Sequence, residues 1–203
     1  MQSNIVEIDL SVEPNRLNFA PRFNVAVTFI DRHLVEGRGD KVAIRTIDEE
    51  WSYKALSESV NQYGNYLLSL GIKPGERLMM VVRDCPDFIA MFFGAIKAGI
   101  IPAPVNTLLR SEDYSYLITD SECAGFFYSA QFAETLTPAL DASPHKPGHV
   151  VVAEDLARQV KTASGVLEAA ATNQMDDCFW LYSSGSTGNP KGVVHPHRSM
   201  VCT

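Results

Sequence analysis

Apolar residues recur first at helical spacing and then at strand spacing. Phe23, Val27, Ile30 and Leu34 share one face of a predicted helix over residues 23–34, which Gly37 and Gly39 end. Val42, Ile44 and Thr46 alternate with other residues. A turn at 48–50 then leads into Trp51 and Tyr53, the pattern of a short hairpin. Leu56, Val60, Tyr63 and Leu67 make an apolar stripe on a helix predicted over 54–70, with Gly71 as its stop. From Lys73 the rhythm changes. Residues 78–82 are continuously apolar, as in a strand buried on both faces. Pro86 suits the first turn of a helix reaching about residue 98, and 100–105 is strand-like despite its prolines. Ser111 before Glu112 and Asp113 predicts a helix N-cap with acids in the first turn. Strands follow at 124–128, 149–152 and 179–182, with a weak helix at 131–140. This alternation predicts an α/β fold, a layered α/β/α arrangement around a mainly parallel sheet. Residues 1–22 read as an irregular arm, and 163–173 as the best linker candidate.

Composition narrows the function classes. The 203 residues are 46% hydrophobic and 20% charged, an ordinary globular balance. Seventeen Lys plus Arg against 24 Asp plus Glu give a net charge of −7, without the basic footprint that nucleic acid or an anionic membrane demands. The most apolar stretch, 88–105, is broken by Gly94, Lys97, Gly99 and two prolines, so no membrane span is expected. Cys85, Cys123, Cys178 and Cys202 lie far apart, with neither zinc-ligand nor disulfide-scaffold spacing. With a polar, acidic first ten residues, this points to the reducing cytoplasm.

The densest chemistry follows the strand at 179–182. Residues 183–192 read Ser-Ser-Gly-Ser-Thr-Gly-Asn-Pro-Lys-Gly. Glycines let several backbone N–H groups converge, hydroxyls add neutral donors, and Lys191 supplies a compact positive charge, together a cradle for phosphate. The bland alternative is a Gly/Ser turn between two strands. The nucleoside-triphosphatase pattern fails, because Pro190 and Gly192 stand where Gly and Ser/Thr are needed. The dinucleotide G-x-G-x-x-G fails at Thr187, and the hydrolase elbow G-x-S-x-G fails at Ser184.

Residues 183–192 instead resemble, without a departure, the signature Ser/Thr-Ser/Thr-Gly-Ser/Thr-Thr-Gly-x-Pro-Lys-Gly of the adenylate-forming superfamily: acyl-CoA synthetases, peptide-synthetase adenylation domains and luciferases. Residues 93–106 are similar to its Lys/Ala-Ala-Gly region, and 51–56 to its earlier aromatic-Tyr-x-x-Leu element. The run 179–188 with 192–195, and Asn106-Thr107-Leu108-Leu109, look most like the N-terminal part of a benzoate–CoA ligase.

The resemblance implies an enzyme that activates a carboxylate, of a benzoate-type aromatic, with ATP and Mg2+ as an acyl-adenylate and transfers it to coenzyme A. Ser183, Ser184, Gly185, Ser186, Thr187, Gly188 and Lys191 would hold the β- and γ-phosphates. It further implies that residues 1–75 pack with a second sheet formed mostly beyond position 203, and that 76–203 build the first α/β subdomain. The carboxylate pocket, the magnesium ligand and the small C-terminal domain would then lie outside this sequence, leaving the chain alone inactive. On that basis the helix at 54–70 would lack cover, leaving the N-terminal third mobile, paired with a second copy through that face, or covered by polypeptide outside this sequence. A fatty acyl-CoA synthetase, an amino-acid adenylation domain, a non-catalytic phosphate-binding module and a purely structural fragment stay open as alternatives.

The remaining signals are weaker. His195 and His197 form an H-x-H pair without a further ligand at metal-site spacing, and no metal site is assigned. Lys97, before a helix-ending glycine, reads as a solvated C-terminal charge. Tyr114, Tyr116 and Tyr128 read as core, and Cys85 lacks a neighbour that would activate it. No catalytic residue is assigned.

Overall fold

The computed structural model describes residues 4–183 and 188–202. The chain starts with a small antiparallel pair, β1 (Val6–Asp9) with β2 (Arg16–Phe19). A helical segment follows, made of a π-turn at Val27–Asp31 and α1 (Arg32–Val35). A hairpin of β3 (Val42–Arg45) and β4 (Glu50–Ser52) leads into α2 (Tyr53–Ser69), whose N-cap Ser52 hydroxyl accepts from the Ala55 N–H at 3.2 Å. Gly71, at φ +89°, then turns the chain off the helix, a conformation that favours glycine. Alternation follows as expected: β5 (Arg77–Val81), α3 (Pro86–Lys97), β6 (Ile101–Pro104), α4 (Ser111–Ser121), β7 (Gly125–Tyr128), α5 (Ala133–Ala142), β8 (His149–Val152) and α6 (Ala157–Thr162). The chain closes with β9 (Asp177–Ser183), β10 (Lys191–Pro196) and the short α7 (Ser199–Cys202).

Four strands form one parallel sheet in the order β6-β5-β7-β8. Its central strand explains the unbroken apolar run. Leu78 and Met80 face one side, with Ala90, Met91 and Ala95 of α3 and Val60 and Leu67 of α2. Met79 and Val81 face the other, with Tyr114, Leu117 and Ile118 of α4 and Leu136 and Ala139 of α5. Helices therefore cover both faces, the layered arrangement that the alternation predicts.

The prolines of β6 have a directional effect. Ile101 and Val105 donate their N–H groups to Glu76 and Met80, so the alternate positions 102 and 104 face away from β5. Both are proline and have no N–H to give. β9 runs beside this edge of β6, yet its ladder is made with β10 alone.

Helices α2 and α3 cross at backbone contact. A Cβ on Gly94 would lie 2.7 Å from the Val60 carbonyl oxygen and 2.9 Å from the Gly64 nitrogen, and one on Gly64 would lie 2.8 Å from the Gly94 oxygen. One turn away the lysine at the end of α3 meets α2. Lys97 is buried, its Nζ 2.6 Å from Asn61 Oδ1 and 2.7 Å from Asp31 Oδ2 in the π-turn. The expected solvated lysine is thus corrected. The end of α3 is roofed by other chain segments, and a covered ammonium must find acceptors.

Part of that roof is the segment read as a linker. Asn61 and Asn65 side chains donate to the carbonyls of Gly165, Ser164 and Val166, and the Ala170 N–H donates to the Lys97 carbonyl. Leu167 packs into the notch at Gly64. Residues 164–172 are a strap across both helices rather than a free connection.

The uncovered face expected on the helix at 54–70 is corrected too. Leu56, Val60, Tyr63 and Leu67 are at most 3% exposed and share a core with β5 and α3. Their burial by this chain contributes roughly 1.5–3 kcal/mol each and removes the exposed face on which pairing with a second copy was argued. Two smaller differences concern phase. The π-turn takes up an extra residue, so Phe23 precedes the helix and Leu34 turns outward to 38% exposure. Arg110, not Ser111, caps α4, its N–H donating to the Asp113 carboxylate at 3.1 Å. The 153–162 region, without a clear apolar period, is a 3-10 turn followed by α6.

Gly94→Ala is expected to destabilise the chain by about 1–3 kcal/mol or more, since only backbone can yield to the new methyl group. Gly148→Ala, whose Cβ would meet just the Ala124 oxygen at 3.6 Å, should stay within about 0.5 kcal/mol. Urea unfolding of both variants checks the pair.

Candidate phosphate-binding site

Strands β9 and β10 form a hairpin whose connecting loop carries the Ser/Gly/Thr-rich sequence. Their register sets Lys191 directly opposite Ser183 and Gly192 opposite Tyr182. Cross-strand partners have Cβ atoms about 4.5–5.5 Å apart. The structure therefore brings together the first hydroxyl and the only lysine of the expected cradle, at the mouth of the loop. Ser184, Gly185, Ser186 and Thr187 lie outside the described residues. Gly188 sits at φ +150°, a region open essentially to glycine, which accounts for its identity by backbone rather than by space.

The two faces of the hairpin differ. On one, Phe179 stacks on His195 with centroids 4.6 Å apart and meets Phe92 of α3 edge-on at 5.6 Å. On the other, Trp180 and Tyr182 cover Gly192, where a Cβ would lie 3.3 Å from Trp180 and 3.5 Å from Tyr182. A side chain at the position after Lys191 would crowd the Trp180 ring and touch that of Tyr182. The Arg77 guanidinium lies over Trp180 at 5.6 Å. Trp180 Nε1 is a buried donor without a partner among the described residues. Tyr182 donates its hydroxyl to Asp120 at 2.8 Å, and Tyr116 donates to the same carboxylate at 3.3 Å. Burial first, and then the bond to Asp120, push the Tyr182 phenol well above its ordinary range, so it remains a donor.

His197 closes the far end of the hairpin. Its ring is buried and its Nδ1 accepts from the Val25 N–H at 3.2 Å, tying β10 to the N-terminal region. Burial lowers its pKa to about 4, against an opposing effect of Asp176. His195 lies in β10 and His197 just past it, so each is used in packing. Burial likewise raises Cys85 above the ordinary thiol range. No group of three His, Cys, Asp or Glu that could hold a metal ion occurs among the described residues. Sequence reasoning missed Arg77 and Asp120, which act on the hairpin from β5 and α4. No local pattern marks them, since their partners are about 60 to 100 positions away.

Fold and site together define an α/β protein with a Ser/Gly-rich hairpin set beside the edge of a parallel sheet. The profile of the AMP-binding enzyme family matches residues 31–203, and the chain belongs to that family. It is 39% identical over 201 residues to a benzoate–CoA ligase of Thauera aromatica, covering 96% of this chain and 38% of that relative. A benzoate CoA ligase structure from Burkholderia xenovorans LB400 superposes with a TM-score of 0.78 at 31% identity, over 89% of this chain and 36% of that one. The anthranilate CoA ligase AuaEII, solved in complex with anthranoyl-AMP, gives 0.82 at 28% identity, over 89% and 36%. The chain thus spans little more than a third of the length of these relatives. No helix among the described residues is long and apolar enough to cross a membrane.

The buried histidine makes stability depend on pH. Above pH 6.5 it is neutral in both folded and unfolded chains. Below that value the unfolded chain takes up a proton that the folded one refuses until about pH 4, so stability is lost as the pH falls through this window. The loss attributable to His197 should reach about 3 kcal/mol. His197→Asn, which offers an amide oxygen to the Val25 N–H, should remove that component when urea unfolding is compared at pH 7 and pH 4.5.

Proposed function

We propose that residues 183–191 hold the β- and γ-phosphates of ATP in an acid–CoA ligase, and that this chain is the N-terminal portion of such an enzyme. The observation that supports this most directly is the cross-strand pairing of Ser183 with Lys191 at the mouth of the loop. In the first half-reaction a carboxylate oxygen attacks the α-phosphorus and the bond to pyrophosphate breaks. Negative charge grows on the leaving group, where a fixed ammonium and hydroxyl or N–H donors stabilise it electrostatically. In the second, the coenzyme A thiol displaces AMP. Magnesium would shield phosphate charge. The described residues do not offer it a ligand set, and no step is assigned to it here.

The same reading places the carboxylate pocket, the adenine contacts and the mobile C-terminal part beyond position 203, in keeping with the greater length of the relatives. On its own the chain would bind phosphate without turnover. In isothermal titration, pyrophosphate should bind, and Lys191→Ala should weaken it by about ten- to a hundredfold, the loss of one charge-assisted contact worth roughly 1.5–3 kcal/mol. Unchanged binding in that variant defeats the role given to the lysine.

The substrate class follows from the aromatic-acid ligases to which the chain is similar. We infer a benzoate-type carboxylate for the whole enzyme. AMP release measured from the complete reading frame with benzoate, acetate, octanoate and a cinnamate should favour benzoate clearly. Preference for octanoate would move the enzyme to the fatty acyl-CoA synthetases.

A further inference from the structure

The phosphate hairpin needs an anchor that the sheet does not supply. Pro102 and Pro104 remove the donors that β6 would offer to β9, so no ladder fixes β9 to the sheet. The position of Ser183 and Lys191 therefore depends on side chains. Tyr182 is placed to act on both strands at once. Its ring lies against Gly192, next to Lys191, and its hydroxyl reaches Asp120 near the end of α4. Tyr116 donates to the other oxygen of that carboxylate. Arg77, lying over Trp180 one step along the same face, donates from Nε to the Ser121 carbonyl at 2.7 Å. Two independent contacts thus tie one face of the hairpin to the last turn of α4.

We propose that Asp120 is a positioning residue for the phosphate loop, acting through Tyr182 to hold Ser183 and Lys191 in register with the sheet. The ligand part of this inference rests on the phosphate role given to residues 183–191; the mechanical part does not. Asp120 touches no phosphate. It accepts the Tyr182 hydroxyl, and the ring so held seats Gly192. Removing either partner should let the loop end of β9 and β10 move as a unit while the α2–α3 core stays intact.

The test uses the whole chain carrying Trp51→Phe, which leaves Trp180 as the single tryptophan. Tyr182→Phe and Asp120→Ala remove the bond, and Asp120→Asn keeps an acceptor oxygen. Amide hydrogen exchange is read in β9, β10, α2 and α3, with Trp180 emission alongside and pyrophosphate affinity by titration. The first two variants should speed exchange in β9 and β10 about tenfold, equivalent to roughly 1.4 kcal/mol, and leave α2 and α3 unchanged. Trp180 emission should shift to the red, pyrophosphate binding should weaken by a similar factor, and Asp120→Asn should restore all three. Unchanged exchange in Tyr182→Phe overturns the proposal, and so does loosening spread equally through α2 and α3. If the parent chain binds no pyrophosphate while its hairpin still loosens, the clamp stands and the phosphate role of the loop falls.

Discussion

Two helices pressed together at Gly64 and Gly94 set the frame for the rest of this chain. Backbone contact there leaves no room for a side chain on either helix, and it brings Lys97 within bonding distance of Asn61 and Asp31. A buried ammonium without acceptors is costly, so the π-turn, α2 and the end of α3 are fixed relative to one another by its needs. The strap at 164–172 uses the same region, taking the Lys97 carbonyl and the Asn61 amide as its partners. Because that strap leads to β9, the helix crossing also fixes where the β9–β10 hairpin begins.

The hairpin meets the parallel sheet on different terms. Inside the sheet, ladders and alternating apolar side chains define register on both faces of β5. At its β6 edge the prolines end the ladder, and attachment passes to discrete contacts: Tyr182 to Asp120, Arg77 over Trp180, Phe179 against Phe92, and His197 to Val25. The hairpin is thus a ribbon held by side chains at both ends.

Trp180 and Tyr182 sit over Gly192 and toward α4, where they build the stem of the loop.

Much of this was written locally. Apolar runs and spacing gave the order of strands and helices, because burial on two faces, on one face or at a turn each demands its own residue pattern. The proposed cradle at 183–192 is local for a similar reason: holding phosphate by backbone and hydroxyls would need glycine, serine and lysine close together in sequence. Other features depend on partners far along the chain. Lys97 looked like a solvated helix end until the π-turn and the strap were seen to cover it. The helix at 54–70 is without cover only if the resemblance assigns it to a second sheet; α3 and Leu167, from distant parts of this chain, supply that cover. Asp120 and Arg77 carry no signal at all in the sequence, since their meaning lies in where α4 and β5 stand beside the hairpin. Local chemistry determined the elements; packing between distant segments decided which polar groups are buried, which helices pair and what holds the β9–β10 hairpin against the sheet.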